Sequence, residues 1–188
     1  KKNLNIATIL PYKENYTFGR ASAASLWVSE FFKNSKYKKN NIIYGHTTSK
    51  DYLTKNYKNI NLKNLKSKLK STTNEYAEKL AKEIANNNFD IVEVHNRPQL
   101  LFKLSNKVKN KFIFYFHNDP LSMKGSKSVK ERLKILEIVE KIIFVSEWVR
   151  ERFFLDIDQK LKTKTEVVYP SVNKQKKIKK EKNIIFVG

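Results

Sequence analysis

The sequence predicts an α/β protein built on a parallel sheet that helices wind around on both sides. Three observations predict it. Apolar runs of strand length alternate along the chain with stretches whose apolar residues recur at helical spacing, the order that gives parallel sheets with right-handed crossovers. Residues 112–116 form an unbroken apolar run, which fits a strand covered on both faces. That run stops abruptly in His117, Asn118 and Asp119, and Pro120 prevents its continuation. In such sheets ligands sit beyond the carboxyl ends of the strands. An imidazole, an amide and a carboxylate gathered there mark where chemistry is expected.

The elements follow in order. Residues 4–10 read as the first strand, ended by Pro11. A loop leads to Gly19, and 20–33 read as a helix with Ala21, Ala24, Val28 and Phe31 on one face. A glycine ahead of a helix lets backbone N–H groups approach an anion; it serves equally to relieve a turn. The second strand is 41–48, with His46 as a surface residue near its end. The lysine-rich stretch 51–69 is weakly patterned, with a short strand at 59–62. Thr72 and Glu75 have the spacing of a capping box. They open a helix to Asn86 with Tyr76, Leu80 and Ile84 on one stripe and Ala77, Ala81 and Ala85 beside it.

The next strand, 90–94, runs directly into His95, Asn96, Arg97 and Pro98, and a helix follows to Lys107. After the central strand, Ser128 and Glu131 form a second capping box for a helix to Glu140, with Val129, Leu133, Leu136 and Val139 inward. Residues 141–145 are a strand. Ser146 suits the N-cap of a helix to Phe154, whose Trp148, Phe153 and Phe154 read as core. Residues 165–169 are the last strand, closed by Pro170. The expected strand order is 3-2-1-4-5-6. Residues 1–173 are thus one domain. Residues 174–182 have a lysine-rich linker composition, and 183–188 read as the first strand of a further domain.

Composition narrows the function. Hydrophobic residues make up 40% of the 188, enough for a sizeable core. There is no cysteine, which excludes a disulfide framework and thiolate metal sites. No apolar run approaches the roughly 18–20 residues of a membrane span, and the first residues do not read as a signal peptide. The formal charge is +21. Such a chain is drawn to polyanions. Arginine, which base edges and phosphates favour, stands only at 20, 97, 132, 150 and 152. That argues against nucleic acid. It leaves an anionic membrane surface, or a plain bias towards Lys, Asn and Ile.

Six segments together resemble a known family. They are Phe18-Gly19-Arg20, DIVEVHN at 90–96, FIFYFHND at 112–119, IIFVSEWVRERF at 142–153, VVYPSVN at 167–173 and NIIFVG at 183–188. In this order they are similar to the N-terminal half of retaining GT-B glycosyltransferases of family 4. The resemblance implies two Rossmann-like domains facing a cleft. The N-terminal one mostly holds the acceptor, and the C-terminal one mostly holds the nucleotide-sugar donor. No metal and no cofactor is implied, since the nucleotide-sugar is a substrate. Gly19, with Arg20, would lie near the donor diphosphate, although Phe18 stands where the family often has another glycine. His117 would lie beside the reacting sugar. His95, with Asn96, Arg97 and Asn118, would line the cleft, and Ser146 and Glu147 its edge. The acceptor would be a cell-surface glycan or a lipid-linked molecule, reached from the cytoplasm at the inner membrane face. The donor half would lie beyond Gly188, so this piece is expected to be inactive alone.

Glycosyl transfer needs the leaving phosphate stabilised by a metal or by preorganised donors and cations. The sequence shows no acidic cluster suited to a metal. Asp119 reads either as the base on the acceptor hydroxyl or as the cap of the turn before Pro120. Arg97 reads as a ligand for an acidic acceptor group or as a surface residue. Two further readings stay open: a non-catalytic Rossmann-like module for an anionic ligand or nucleic acid, and a GT-B fold doing other chemistry, as nucleotide-sugar epimerases do.

Overall fold

The computed structural model describes residues 3–62 and 71–170. The linker and strand expected at 174–188, and the lysine stretch at 63–70, lie outside them. The strands are β1 (Ile6–Ile9), β2 (Asn41–Gly45), β3 (Tyr57–Asn59), β4 (Ile91–His95), β5 (Lys111–Phe116), β6 (Lys141–Phe144) and β7 (Thr165–Val167). All pair in parallel, in the order β3-β2-β1-β4-β5-β6-β7. This is the expected Rossmann-like order extended by one strand. The helices are α1 (Ala23–Asn34), α2 (Thr72–Ala85), α3 (Pro98–Ser105), α4 (Val129–Ile138) and α5 (Glu147–Phe153).

The sheet's two faces are unequal. One carries Ala7, Ile9, Val92, Phe114, Phe116 and Phe144, packed against α2, α3, α4 and α5 as a continuous apolar core. The other carries a smaller cluster, in which Val28 and Phe32 of α1 meet Leu10, Ile43 and Tyr57. Register sets Thr8 beside Glu93, and His95 beside Tyr115, on neighbouring strands. Paired residues of parallel strands share a face. The face under α1 therefore holds polar side chains that the other lacks. At the sheet's outer side, a Cβ on Gly45 would fall 2.7 Å from the Tyr57 hydroxyl oxygen, so only glycine fits beneath that ring.

Several local expectations are corrected. Helix α1 starts at Ala23, behind the N-cap Ser22, not at Arg20. Its buried face is therefore Ala24, Ser25, Val28, Ser29 and Phe32. Phe31 is 49% exposed and stacks on Trp27 at 5.0 Å. The capping box expected at Thr72 does not form. Ser71 takes the N-cap position without a side-chain bond, and Glu75 pairs with Lys79 at 2.8 Å instead. The short strand is Tyr57–Asn59 rather than 59–62. Ser128 and Glu131 do form their box. In α4, however, Leu133 is exposed and Arg132 is buried. Phe153 and Phe154 are core, whereas Trp148 is 59% exposed.

Candidate functional site

The two strand-end histidines meet. His95 is the last residue of β4, and His117 follows β5 directly. His95 Nδ1 lies 2.9 Å from His117 Nε2. The parallel pairing of β4 and β5 brings both rings to the carboxyl end of the sheet. His95 is 1% exposed and stacks on Tyr115 at 4.3 Å. Trp27 of α1 stands edge-on to His117 at 5.2 Å. Asn96 holds the crossover in place. Its backbone takes φ 54°, its N–H donates to the Tyr115 carbonyl at 2.9 Å, and its Oδ1 accepts from the His117 N–H at 3.0 Å. Asparagine is among the few residues that tolerate that left-handed backbone.

Burial sets the protonation. It pushes the His117 ring down to about 4. It pushes His95 well below the usual range, helped by the neighbouring His117. Taking a cation out of water is unfavourable, so both rings are neutral near pH 7. A neutral pair offers one donor and one acceptor nitrogen per ring.

His117 opens onto a cavity of about 350 Å³. Ala24, Leu26 and Trp27 of α1 form one wall, Val145 another, and His117 with Asn118 the polar end. The cavity lies at the carboxyl ends of β5 and β6, where an open α/β sheet places its ligands.

The other expected residues fall into distinct places. Gly19 (φ 73°) and Arg20 lie in an exposed turn ahead of α1, and neither lines this cavity. Arg97 stands at the N-cap of α3, with its guanidinium 5.0 Å over the Tyr12 ring. Asp119 is tied down. Arg152 donates to both its oxygens, at 3.3 and 3.0 Å, and the Leu121 N–H donates at 3.0 Å. Those hydrogen bonds, from Arg152 first, hold its carboxyl below the usual range. The structure thus places it as the cap of the turn Pro120–Ser122. Ser146 caps α5 by accepting from the Val149 N–H, and Glu147 pairs with Arg150 at 2.6 Å. His46 donates from Nδ1 to the Ile60 carbonyl at 2.9 Å, an anchoring contact.

Residue-by-residue reading missed a polar line running inward from the histidines. Glu93 accepts from Tyr115 Oη at 3.2 Å and lies 2.7 Å from Thr8 Oγ1. Thr8 Oγ1 also lies 3.1 Å from Asn41 Oδ1. Burial raises the Glu93 carboxyl, with the Thr8 and Tyr115 hydrogen bonds opposing. The available signal was a carboxylate in the middle of Ile91–His95, a strand otherwise fit for burial. Trp27 was missed too, because a tryptophan at helical spacing reads as core. Among the described residues, no group of three or more His, Asp or Glu is placed to hold a metal ion.

No protein-family model matches the chain, and no protein of curated function matches it by sequence. Solved structures do. The chain is similar to a glycosyltransferase from Rickettsia africae ESF-5, at 17% identity and a TM-score of 0.61, over 92% of this chain and 44% of that one. It is also similar to a UDP-N-acetylglucosamine 2-epimerase, at 12% identity and a TM-score of 0.61, over 88% of this chain and 48% of that one. The chain therefore spans less than half the length of either. At such identities the likeness is one of fold: a seven-stranded parallel α/β sheet of Rossmann-like type among the described residues, matching part of two larger molecules.

Proposed function

We propose that this chain is the acceptor-side domain of a GT-B glycosyltransferase of the retaining, metal-independent type. It would move a sugar from a nucleotide-sugar to a cell-surface glycan or lipid-linked acceptor. The observation that carries this reading is the His95–His117 pair at neighbouring strand ends, of which His117 lines a cavity. A neutral His117 can accept a hydrogen bond from a hydroxyl of the donor sugar or the acceptor. Trp27 offers an aromatic wall for an apolar sugar face. Asn118 supplies an amide at the polar end. Asp119, paired with Arg152, fixes the turn that carries Asn118, and the proposed role of base would require that pairing to open. Gly19, Arg20, Arg97, Ser146 and Glu147 stay proposed contacts at the rim of a cleft completed by a second domain. Residues 174–182 would link to that domain, and 183–188 would begin it. The donor would be held mainly there, so 1–188 alone is expected to be inactive. An anionic inner-membrane face, on the cytoplasmic side, is the proposed site of peripheral contact.

The test is His117→Ala in the full-length protein, assayed with a panel of nucleotide-sugars. Transfer should drop at least about 100-fold, the lower range for a positioned proton-handling group. Undiminished transfer removes His117 from the mechanism. The second reading draws on the epimerase neighbour. Incubating the full-length protein with a nucleotide-sugar and no acceptor separates the two, because an epimerised product would replace the transfer reading.

A further inference from the structure

We propose that Glu93 is a positioning residue: through one buried water it holds His95 in the Nε2–H tautomer, so that His117 turns its Nδ1 lone pair towards the cavity. This rests on His117 being the working group of the proposed site.

The argument begins with hydrogen counting. The contact between His95 Nδ1 and His117 Nε2 has two neutral forms. Either both rings carry their proton on Nε2, with His117 donating to His95, or both carry it on Nδ1, with His95 donating to His117. The forms differ in what the outer nitrogens offer. In the first, His95 Nε2 is a donor and His117 Nδ1 a lone pair. In the second the roles are exchanged.

His95 Nε2 decides between them. It is fully buried and has no hydrogen-bond partner among the described residues. His95 lines a small gap with Thr8, Asn41 and Glu93 on the sheet side and aromatic and aliphatic side chains of α1, Trp27 among them, opposite. The gap measures about 10 Å³, near the roughly 10–15 Å³ that one water requires. With the Asn41 amide placed so that its oxygen, not its NH2, faces Thr8, the sheet wall is short of hydrogens. Thr8 has one hydroxyl hydrogen and two oxygen neighbours, Glu93 Oε2 and Asn41 Oδ1. Both contacts are met when Glu93 is the protonated acid, donating to Thr8, which donates to Asn41. Burial raises the Glu93 carboxyl in that direction. Tyr115 donates to the other oxygen.

A water in this gap has two hydrogens to give and oxygens of Glu93 and Asn41 to receive them. It then needs one donor, and that place falls to His95 Nε2, the lining nitrogen that is buried without a partner among the described residues. In the opposite tautomer a third acceptor would compete for the same two hydrogens. A buried polar atom left without a partner is costly, so the Nε2–H form prevails in both rings. His117 Nδ1 then faces the cavity as an acceptor.

The test reads the tautomers directly, with no substrate. Long-range 1H–15N spectra of the ¹⁵N-histidine-labelled chain are recorded at pH 7, and His46 signals are identified by their loss in His46→Gln. Both His95 and His117 should be protonated at Nε2. Glu93→Gln, which keeps a carbonyl acceptor, should preserve this form. Glu93→Leu should switch both rings to Nδ1–H. Nδ1–H rings in the wild type or in Glu93→Gln overturn the proposal, as does a folded Glu93→Leu that keeps Nε2–H. If Glu93→Leu does not fold, the first two spectra decide. Failure here leaves the transfer reading standing. Transfer surviving in His117→Ala removes that reading without touching the tautomers.

Discussion

His117 and His95 are neutral because burial opposes their charge, and that has a thermodynamic consequence. An unfolded chain protonates its histidines below about pH 6.5. The native state does not protonate His117 until about 4. Between those values the unfolded state binds more protons, so stability falls as pH falls, and levels off below the folded value. The slope contributed is at most about 1.4 kcal/mol per pH unit per group. Thermal melts by circular dichroism should show Tm dropping from pH 7 towards pH 4.5. His117→Gln, which cannot titrate, should make that drop shallower; an unchanged drop would place the titrating group elsewhere. At this scale the sequence was readable where a polar residue ended an apolar run. His95 and His117 stood out for that reason. Glu93 did not, because its hydrogen-bond partners, Thr8 and Tyr115, lie on other strands, and no local spacing encodes them. Asp119 was ambiguous because its partner Arg152 is 33 residues away.

Helix starts show what an element's own sequence can and cannot reveal. Ser-x-x-Glu at 128 forms a reciprocal box: Ser128 Oγ accepts from the Glu131 N–H at 3.2 Å, and Glu131 Oε2 accepts from the Ser128 N–H at 3.0 Å. The same spacing at Thr72 does not, because the chain enters α2 one residue earlier, at Ser71. Ser128→Ala should therefore cost about 1 kcal/mol, and Thr72→Ala should stay within about 0.5 kcal/mol. Urea unfolding of the two variants separates them; equal losses would contradict the assigned helix start. Arg132 is the harder case. It reads as a surface cation, yet it is buried and donates to the carbonyls of Phe153 and Leu155. It thereby satisfies carbonyls at the end of α5, which that helix cannot satisfy itself. Arg132→Met keeps the bulk and removes the donors. It should cost about 2–3 kcal/mol, well above the Ser128 variant in the same experiment. The contact runs from α4 to the carbonyls at and just beyond the end of α5, beyond the reach of periodicity within either helix.

For the whole molecule, the alternation of strands and helices was legible because each strand is short, apolar and bounded by polar or proline residues. The unequal covering of the sheet's two faces was not, since it depends on which crossovers carry helices. Charge is the remaining property of the whole. If each of the 18 acidic groups paired with one of the 39 basic groups, 21 cations would still be unmatched. No helix among the described residues is long and apolar enough to cross a membrane. A surface contact is nonetheless within reach of these residues. Trp148 is 59% exposed with the Arg152 guanidinium 5.7 Å from its ring, and Leu155 is 49% exposed. An aromatic ring with one apolar side and a cation beside it is suited to the headgroup region of a bilayer. Basic residues near an anionic surface contribute about 1 kcal/mol each, screened within a Debye length. The chain should therefore sediment with vesicles containing anionic lipid, remain in solution with neutral ones, and be released by about 0.5 M salt. Trp148→Ala separates a built contact from charge alone. It should weaken vesicle binding several-fold without changing Tm, because an exposed ring adds little to folding. Equal partition onto neutral and anionic vesicles, or none onto either, would reduce the +21 charge to a bias of composition.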